Sequence, residues 1–198
     1  NTNQNCITPE RQCYPSARDV VESFPLRQCS EPQHAATFDI KSAHKRIVLS
    51  ERHQGLVGFT FQGRIFFYRV CPFGATFSAF WWGRLGAWLV RVWHRLIWVQ
   101  HGLWLFVDDF LLTQPKSILP LFATLLALFC RVFRIPLSFK KCTLGPMVDW
   151  IGWRFNFFNG LVSLHPDKQN KLIAQIEELL THRHCSSKQL ERFTGLAL

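Results

Sequence analysis

The chain is short of negative charge. Its 198 residues carry 13 Asp plus Glu against 23 Lys plus Arg, a formal net charge of +10, and the isoelectric point is about 9.7. Residues 52–107 contain six Arg and no carboxylate at all. This excess excludes an acidic solvated domain and points to a polyanionic partner, with nucleic acid before an anionic membrane surface. C-x-x-C pairs are missing too: the seven Cys stand at 6, 13, 29, 71, 130, 142 and 185. An odd, scattered set argues against a disulfide framework and for reduced thiols in an intracellular compartment, cytoplasm or nucleus. Long apolar runs are absent as well. The greasiest, Ile118 to Cys130, is 13 residues with Pro120 and Thr124 inside it, whereas a bilayer span needs about 20. No membrane partner is expected. The polar opening NTNQNC is not a secretory leader, and without an initiator Met the chain reads as a piece of a longer protein.

What is present suits a packed core. Apolar residues make up 48% and charged ones 18%, with 19 Phe and 8 Trp. The length suits one domain or one and a fraction. Residues 1–35 are polar and Pro-rich, with one short helix expected over Ser16 to Phe24, capped by Ser16 with Asp19 at its third position. Ala36 to Ile40 reads as a strand. The runs VGFTF and RIFFYRV, joined by Gln62-Gly63, read as a β-hairpin. Thr76 to Trp98 has helical periodicity. Two apolar runs flank Asp108-Asp109, and a helix over Leu119 to Arg134 is closed by Pro136. Asp149 to Phe158 reads as a strand, paired through Asn159-Gly160 with Leu161 to Leu164. Pro166 opens an amphipathic helix with Leu172, Ile173, Ile176, Leu179 and Leu180 on one face, and Ser186 with Gln189 suggests a cap for a last helix. The order predicts an α+β fold with a largely antiparallel sheet.

The carboxylates carry the most information. Two adjacent Asp inside LWLFVDDFLL are costly to bury unless a cation neutralises them. Asp39 ends a similar apolar run in ATFDIK. Hard oxygen donors without nearby His or Cys favour Mg²⁺ over zinc, and two such ions serve in-line phosphoryl transfer. An Asp-Asp pair is also a common turn, and that bland reading stands beside the first. The cluster His182, His184 and Cys185 lacks a fourth ligand at zinc spacing. His94 and His101 read as structural.

The segments FDIKSAH (38–44), CPFGATFSAF (71–80), FVDDFLL (106–112), LSFKKC (137–142) and WIGWRF (150–155) follow one another in this order. Together they resemble the successive motifs of retroelement reverse transcriptases, with the flavour of tyrosine-recombinase (DIRS-like) retrotransposons, over about residues 36–198. The resemblance implies a right-hand polymerase palm, an antiparallel sheet with packed helices, with partial fingers and the start of a thumb. The division it suggests is 1–160 for fingers and palm and 161–198 for the thumb. It implies RNA-directed DNA synthesis by nucleotidyl transfer from a dNTP to a primer 3′-hydroxyl, on an RNA or DNA template. Asp39 and Asp108 would bind two Mg²⁺, with Asp109 beside them. Lys141, favoured over Lys140, would approach the triphosphate. Phe73 and Gly74 would lie against the incoming nucleotide. So would His44, where the family usually carries an aromatic that blocks a ribose 2′-hydroxyl. Trp150, Gly152 and Trp153 would grip the primer terminus, and Lys168, Lys171 and Gln175 would lie along the duplex. Arg11, Arg18 and Arg27 have no clear counterpart among the family's fingers residues.

Two other readings compete. One is a catalytically inactive nucleic-acid-binding remnant of such a polymerase. The other is a membrane-associated basic protein using exposed aromatics of residues 81–104. Oligomeric state is not legible.

Overall fold

The computed structural model describes residues 3, 6–23, 31–181 and 186–197. Its centre is a four-stranded sheet. Strands β1 (Gln33–Asp39), β4 (Gly102–Phe106), β5 (Asp109–Pro115) and β6 (Thr143–Gly145) lie in the order β4-β5-β1-β6, with every pair antiparallel. Strands β2 (Gly58–Phe61) and β3 (Arg64–Phe67) form a separate hairpin. Strands β7 (Met147–Trp150), β8 (Trp153–Asn156) and β9 (Leu161–Leu164) form a three-stranded meander. The helices are α1 (Ala17–Glu22), α2 (Glu51–Gln54), α3 (Thr76–Leu96), α4 (Leu119–Val132), α5 (Pro166–Thr181) and α6 (Ser187–Ala197).

Strands β1 and β5 alternate between two apolar layers. Ala36, Phe38, Phe110 and Leu112 face α3 and α4, where Trp82, Leu89, Trp93, Phe122 and Leu126 fill the space. Ala35 and Leu111 face the other way, against Val148, Trp150 and Phe155 of the meander and Val20 of α1. A strand covered on both faces reads as a continuous apolar run, which is why ATF and FLL lack the polar alternation of a half-exposed strand. Each such Leu or Phe taken from water contributes roughly 1.5–3 kcal/mol. Helix α3 approaches β4 closely: a Cβ on Gly86 would sit 2.9 Å from Leu105 Cδ2. Helix α4 ends in a left-handed residue, Arg134 (φ 56°). The Ile135 amide then bonds back to the Cys130 carbonyl at 2.8 Å, just ahead of Pro136.

Most expected elements appear within a residue or two of their predicted bounds. The Ser16 amide donates to Asp19 Oδ2 at 2.7 Å, the reach-back bond of a capping box, and the Ser16 hydroxyl donates to the same oxygen at 2.7 Å. Gln62 and Gly63 take φ of 47° and 71°, the left-handed pair of a tight hairpin. One strand is corrected. The run from Asp149 to Phe158 is broken at Ile151-Gly152, with φ of 45° and 80°, so it folds back on itself and pairs Trp150 with Trp153. The division at 160/161 falls between β8 and β9, which pair with each other; the helical part begins at Pro166. The expected apolar face of α5 is present, yet none of its residues is buried, and Leu180 is 81% exposed. Among the described residues no helix is long and apolar enough to cross a membrane. The Trp-rich stretch divides: Trp82 and Trp93 are buried, whereas Trp81, Trp88 and Trp98 are exposed. His182, His184, Cys185 and Arg27 lie outside the described residues.

Candidate active site

The antiparallel register of β1 and β5 sets Asp39 directly opposite Asp109. Strands β4 and β5 pair from Phe106 and Asp109 inward, which leaves Val107-Asp108 as a two-residue turn. All three carboxylates therefore stand at one end of the central sheet. The Ile40 amide donates to the Asp108 carbonyl at 2.7 Å and ties the turn to the end of β1. Val107 pays for the tightness with φ 51°, a region that disfavours a β-branched residue.

Lys141 arrives from 102 residues away. The segment after Pro136 is laced to the end of β1: the Lys41 amide bonds the Pro136 carbonyl at 2.9 Å, and the Ser138 amide bonds the Asp39 carbonyl at 2.8 Å. A short 3₁₀ turn, Phe139–Lys141, follows. It delivers the Lys141 ammonium to Asp39 Oδ2 at 2.9 Å, with Lys141 67% exposed and Asp39 17%. The bond belongs to Lys141 rather than Lys140. Asp39 and the neighbouring carboxylates hold the Lys141 ammonium above its ordinary pKa. Burial, and then the charges of Asp108 and Asp39, push the Asp109 carboxyl up to about 6, with Lys141 opposing them.

Two clefts open on this pair. One, of about 520 Å³, is lined by Asp39, Lys41, Ser42, Asp108, Lys140 and Lys141. The other, of about 400 Å³, is lined by Asp39, Asp109, Lys141, Trp150, Gly152 and His165. The carboxylates thus share a wall with the Ile151-Gly152 turn. Trp150, expected at the primer terminus, is itself buried. Residues 148 and 150 point inward along β7, so Trp150 is 3% exposed and its indole N–H donates to the Asp109 carbonyl at 3.1 Å. Ile151, Gly152 and Trp153 are half-buried, and Lys168 Nζ lies over the Trp153 ring, 5.7 Å from its centroid.

His44 and Phe73 are brought together. The Cys71 amide bonds the Ile47 carbonyl at 2.9 Å, and the two rings stand 6.0 Å apart, with Trp82 6.5 Å from His44. Phe73 is 87% exposed, and Gly74 at φ 83° needs its lack of a side chain. This pair lines neither cleft; its neighbour Trp82 is the residue that reaches the Val107-Asp108 turn.

Sequence reasoning missed two contributors. Trp82 reads as core, and it is fully buried, yet its indole N–H donates to the Val107 carbonyl at 2.6 Å and so braces the carboxylate turn. His165 sits at the β9–α5 junction. Its amide bonds the Gly152 carbonyl at 3.0 Å and its Nε2 lies 3.3 Å from Asp149 Oδ2. Only the fold of the meander connects it to the site, so no local signal could have singled it out.

The family model for reverse transcriptase (RNA-dependent DNA polymerase) matches residues 3–155. No curated protein matches the chain. Among solved structures, it is similar to the foamy viral protease-reverse transcriptase in complex with double-stranded DNA, with TM-score 0.64, 17% identity, and 96% of this chain and 30% of that one covered. The same viral protein in complex with an RNA/DNA hybrid gives TM-score 0.60 and 17% identity over 82% of this chain and 20% of that one. Apo telomerase from Candida tropicalis gives TM-score 0.54 and 10% identity over 76% and 40%. The chain therefore spans between a fifth and two-fifths of these solved structures. They share its fold, an antiparallel sheet with packed helices. With more than half its length inside the matched region, this chain belongs to the reverse transcriptase (RNA-dependent DNA polymerase) family.

Proposed function

We propose that the chain is the palm-centred part of a retroelement RNA-directed DNA polymerase, of the tyrosine-recombinase type its motifs resemble, working inside the cell. It would extend a primer paired to an RNA or DNA template by nucleotidyl transfer from a dNTP. Residues up to about 160 would supply the palm and part of the fingers, and the helical part from Pro166 would begin the thumb. The observation that carries this reading is the register that sets Asp39 against Asp109, with Asp108 in the adjoining turn and Lys141 bonded to Asp39.

The donor set fits a hard divalent cation. Three carboxylates face one ammonium, and burial, then the charges of Asp108 and Asp39, raise the Asp109 carboxyl. Among the described residues no group of three or more His, Cys, Asp or Glu could hold a metal ion by itself. Mg²⁺ is a hard cation that takes one or two protein carboxylates and completes its shell with water and substrate phosphates. Asp39 and Asp108 are the residues that would hold two such ions. When bound, they would lower the pKa of the primer hydroxyl and neutralise developing phosphate charge.

The protein's own groups have distinct tasks. Lys141 carries a proton within reach of the cleft, where it can stabilise or protonate a leaving pyrophosphate. Asp109, opposite Asp39 in the strand register, supplies the third carboxylate of the site. Phe73 and His44 offer ring faces to the nucleotide. The Ile151-Gly152 turn and Trp153 abut the primer end.

The test is primer extension on an RNA template with Mg²⁺ and dNTPs, beside Asp108→Ala. We expect extension by the wild-type chain and a loss on the order of hundredfold or more in the variant, with hybrid binding retained. Extension unchanged in Asp108→Ala would sink the assignment. Binding without extension in the wild type would favour either the inactive remnant or a chain that needs the rest of its fingers and thumb, and repeating the assay with those flanks restored decides between the two.

A further inference from the structure

Helix α4 lacks the charged outer face of a surface helix. Its core face, Leu119, Phe122, Ala123, Leu126, Phe129 and Cys130, is buried. A helix with one face in the core ordinarily turns charge toward water, and the neighbouring α3 does so with the exposed Arg84, Arg91 and Arg95. Helix α4 turns leucine outward instead. Arg131 is its one charged residue. Leu121, Leu128 and Val132 are 59%, 53% and 76% exposed, with half-buried Leu125 between them. These positions recur at steps of four, three and four residues, the spacing of a seam along which one helix packs on another. Apolar area left open on this scale marks an interaction surface.

The stripe is complementary to itself. Steps of four, three and four read the same in both directions. Two α4 helices running antiparallel about a two-fold axis therefore set Leu121 against Val132 of the partner subunit and Leu125 against Leu128 of the partner subunit. Charge favours the same direction. One turn ahead of Leu121, the Ser117 hydroxyl donates to Glu31 at 2.5 Å, which stands a carboxylate at the first end of the stripe. Arg131 and Arg134, both exposed, stand at the other end. Antiparallel pairing brings each carboxylate toward the partner's arginines, whereas parallel pairing sets arginine against arginine. The net charge of +10 opposes self-association across the arginine-bearing surfaces, and the stripe itself carries none. Trp88 and Phe133, part-exposed rings in edge-to-face contact at 5.3 Å, widen the patch beside Val132. Part-exposed side chains of this size offer roughly 80–100 Å² each. Together they bring about 500 Å² per copy and about 1,000 Å² to a pair, the lower bound of a specific interface. Neither cleft at the carboxylates is lined by α4, so the pairing leaves both open.

We infer that the Leu121, Leu125, Leu128 and Val132 stripe of α4 is a homodimer seam that joins two copies of this chain antiparallel about a two-fold axis. The pair is weak and reversible, as its area dictates. It does not rest on the polymerase reading, because no residue of the seam belongs to the carboxylate site.

The experiment is sedimentation equilibrium of the nuclease-treated full chain over about 1–100 μM, the range a weak pair occupies. We expect the mean mass to rise from one copy toward two. Leu128→Glu changes an exposed residue, so its circular dichroism and thermal midpoint should stay near those of the wild type. It should weaken the pair about hundredfold or more, because it buries an unpaired carboxylate opposite Leu125 of the partner subunit. Leu121→Lys, also at an exposed position, provides a second disruption with the same expected loss. Phe61→Glu, on the exposed β2–β3 hairpin, should leave association unchanged. An equimolar mixture of Leu121→Cys and Val132→Cys chains should form a mixed disulfide, located by peptide mass spectrometry, at those two positions. Neither variant alone should cross-link to itself there, since antiparallel packing sets each position far from its own copy. A wild type that stays a single copy throughout overturns the inference. So does association that survives both Leu128→Glu and Leu121→Lys, or that is lost in Phe61→Glu, which would place the contact on the hairpin. Cross-links between like positions only would show a parallel pair and also overturn it.

Discussion

Trp82→Phe tests how the carboxylate turn is held. The indole N–H meets the Val107 carbonyl at 2.6 Å from a fully buried ring, and Val107 is kept at φ 51°. A left-handed conformation costs a residue with a Cβ roughly 1–2 kcal/mol, an amount one well-made hydrogen bond can offset. Phenylalanine removes the donor and leaves the carbonyl short of a partner, at about 1–3 kcal/mol. The missing ring atoms leave a void worth about 1 kcal/mol more. The sum, about 2–4 kcal/mol, is below the usual 5–15 kcal/mol of a folded domain, so the variant stays folded. Urea denaturation should show that loss, and single-turnover extension should fall more than tenfold, because a displacement of about 1 Å at a reacting centre costs on the order of hundredfold. Val107→Gly supplies the second arm of a cycle. Glycine accepts positive φ freely, so Trp82→Phe should cost less in the Val107→Gly background. Two effects that add to within about 0.5 kcal/mol would mean that the indole bond and the turn strain are unconnected. A stability loss with unchanged extension would refute the bracing role outright.

Three further outcomes follow from particular contacts. Lys141→Ala removes the ammonium from Asp39 and should lower extension about hundredfold, as loss of a positioned general acid does, while the thermal midpoint stays near that of the wild type. Gly83→Ala drives a Cβ into Gln12 Nε2, which itself donates to the Ala79 and Phe80 carbonyls at 2.8 and 2.7 Å. The gain of about 1 kcal/mol in helix propensity should be offset by those lost bonds, leaving stability nearly unchanged, while limited proteolysis of the segment around Gln12 accelerates. Arg154, with burial opposing and His165 assisting, holds the Asp149 carboxyl below its ordinary range. A depressed carboxylate contributes stability above its unfolded pKa and loses it as pH falls through the folded value. The wild type should therefore exceed Asp149→Asn in stability near neutral pH by less than about 1 kcal/mol, since the pair is solvent-screened, and the gap should close below about pH 4.

Much of the site was legible because its signals are local. Asp39 and Asp108-Asp109 end apolar runs, and the strand register that unites them follows from burying those runs on both faces. Gln62-Gly63 announces its turn by composition. The break at Ile151-Gly152 was not legible from pattern alone: a β-branched residue with positive φ contradicts local preference, and the aromatic residues on both sides look like one continuous strand. Only pairing of Trp150 with Trp153, and burial of Trp150 under Asp109, makes the fold-back worthwhile. The Trp82 bond was hidden for a related reason, since a buried indole looks the same in sequence whether or not its N–H has a task.

By itself, then, the sequence determined the elements, their antiparallel class, the carboxylates, and a charge that calls for a polyanion. Each of these depends on side-chain type and near neighbours. Tertiary structure decided which distant groups meet. Lys141 reaches Asp39 because the chain after Pro136 is bonded to the end of β1, His165 reaches the Gly152 turn because the meander closes there, and Phe73 meets His44 because the hairpin between them is pinned at its base. It also decided what stays uncovered. The same Phe content that fills the core leaves the β2–β3 hairpin exposed among the described residues, and hydrophobicity alone cannot say which apolar face will find a partner within the chain.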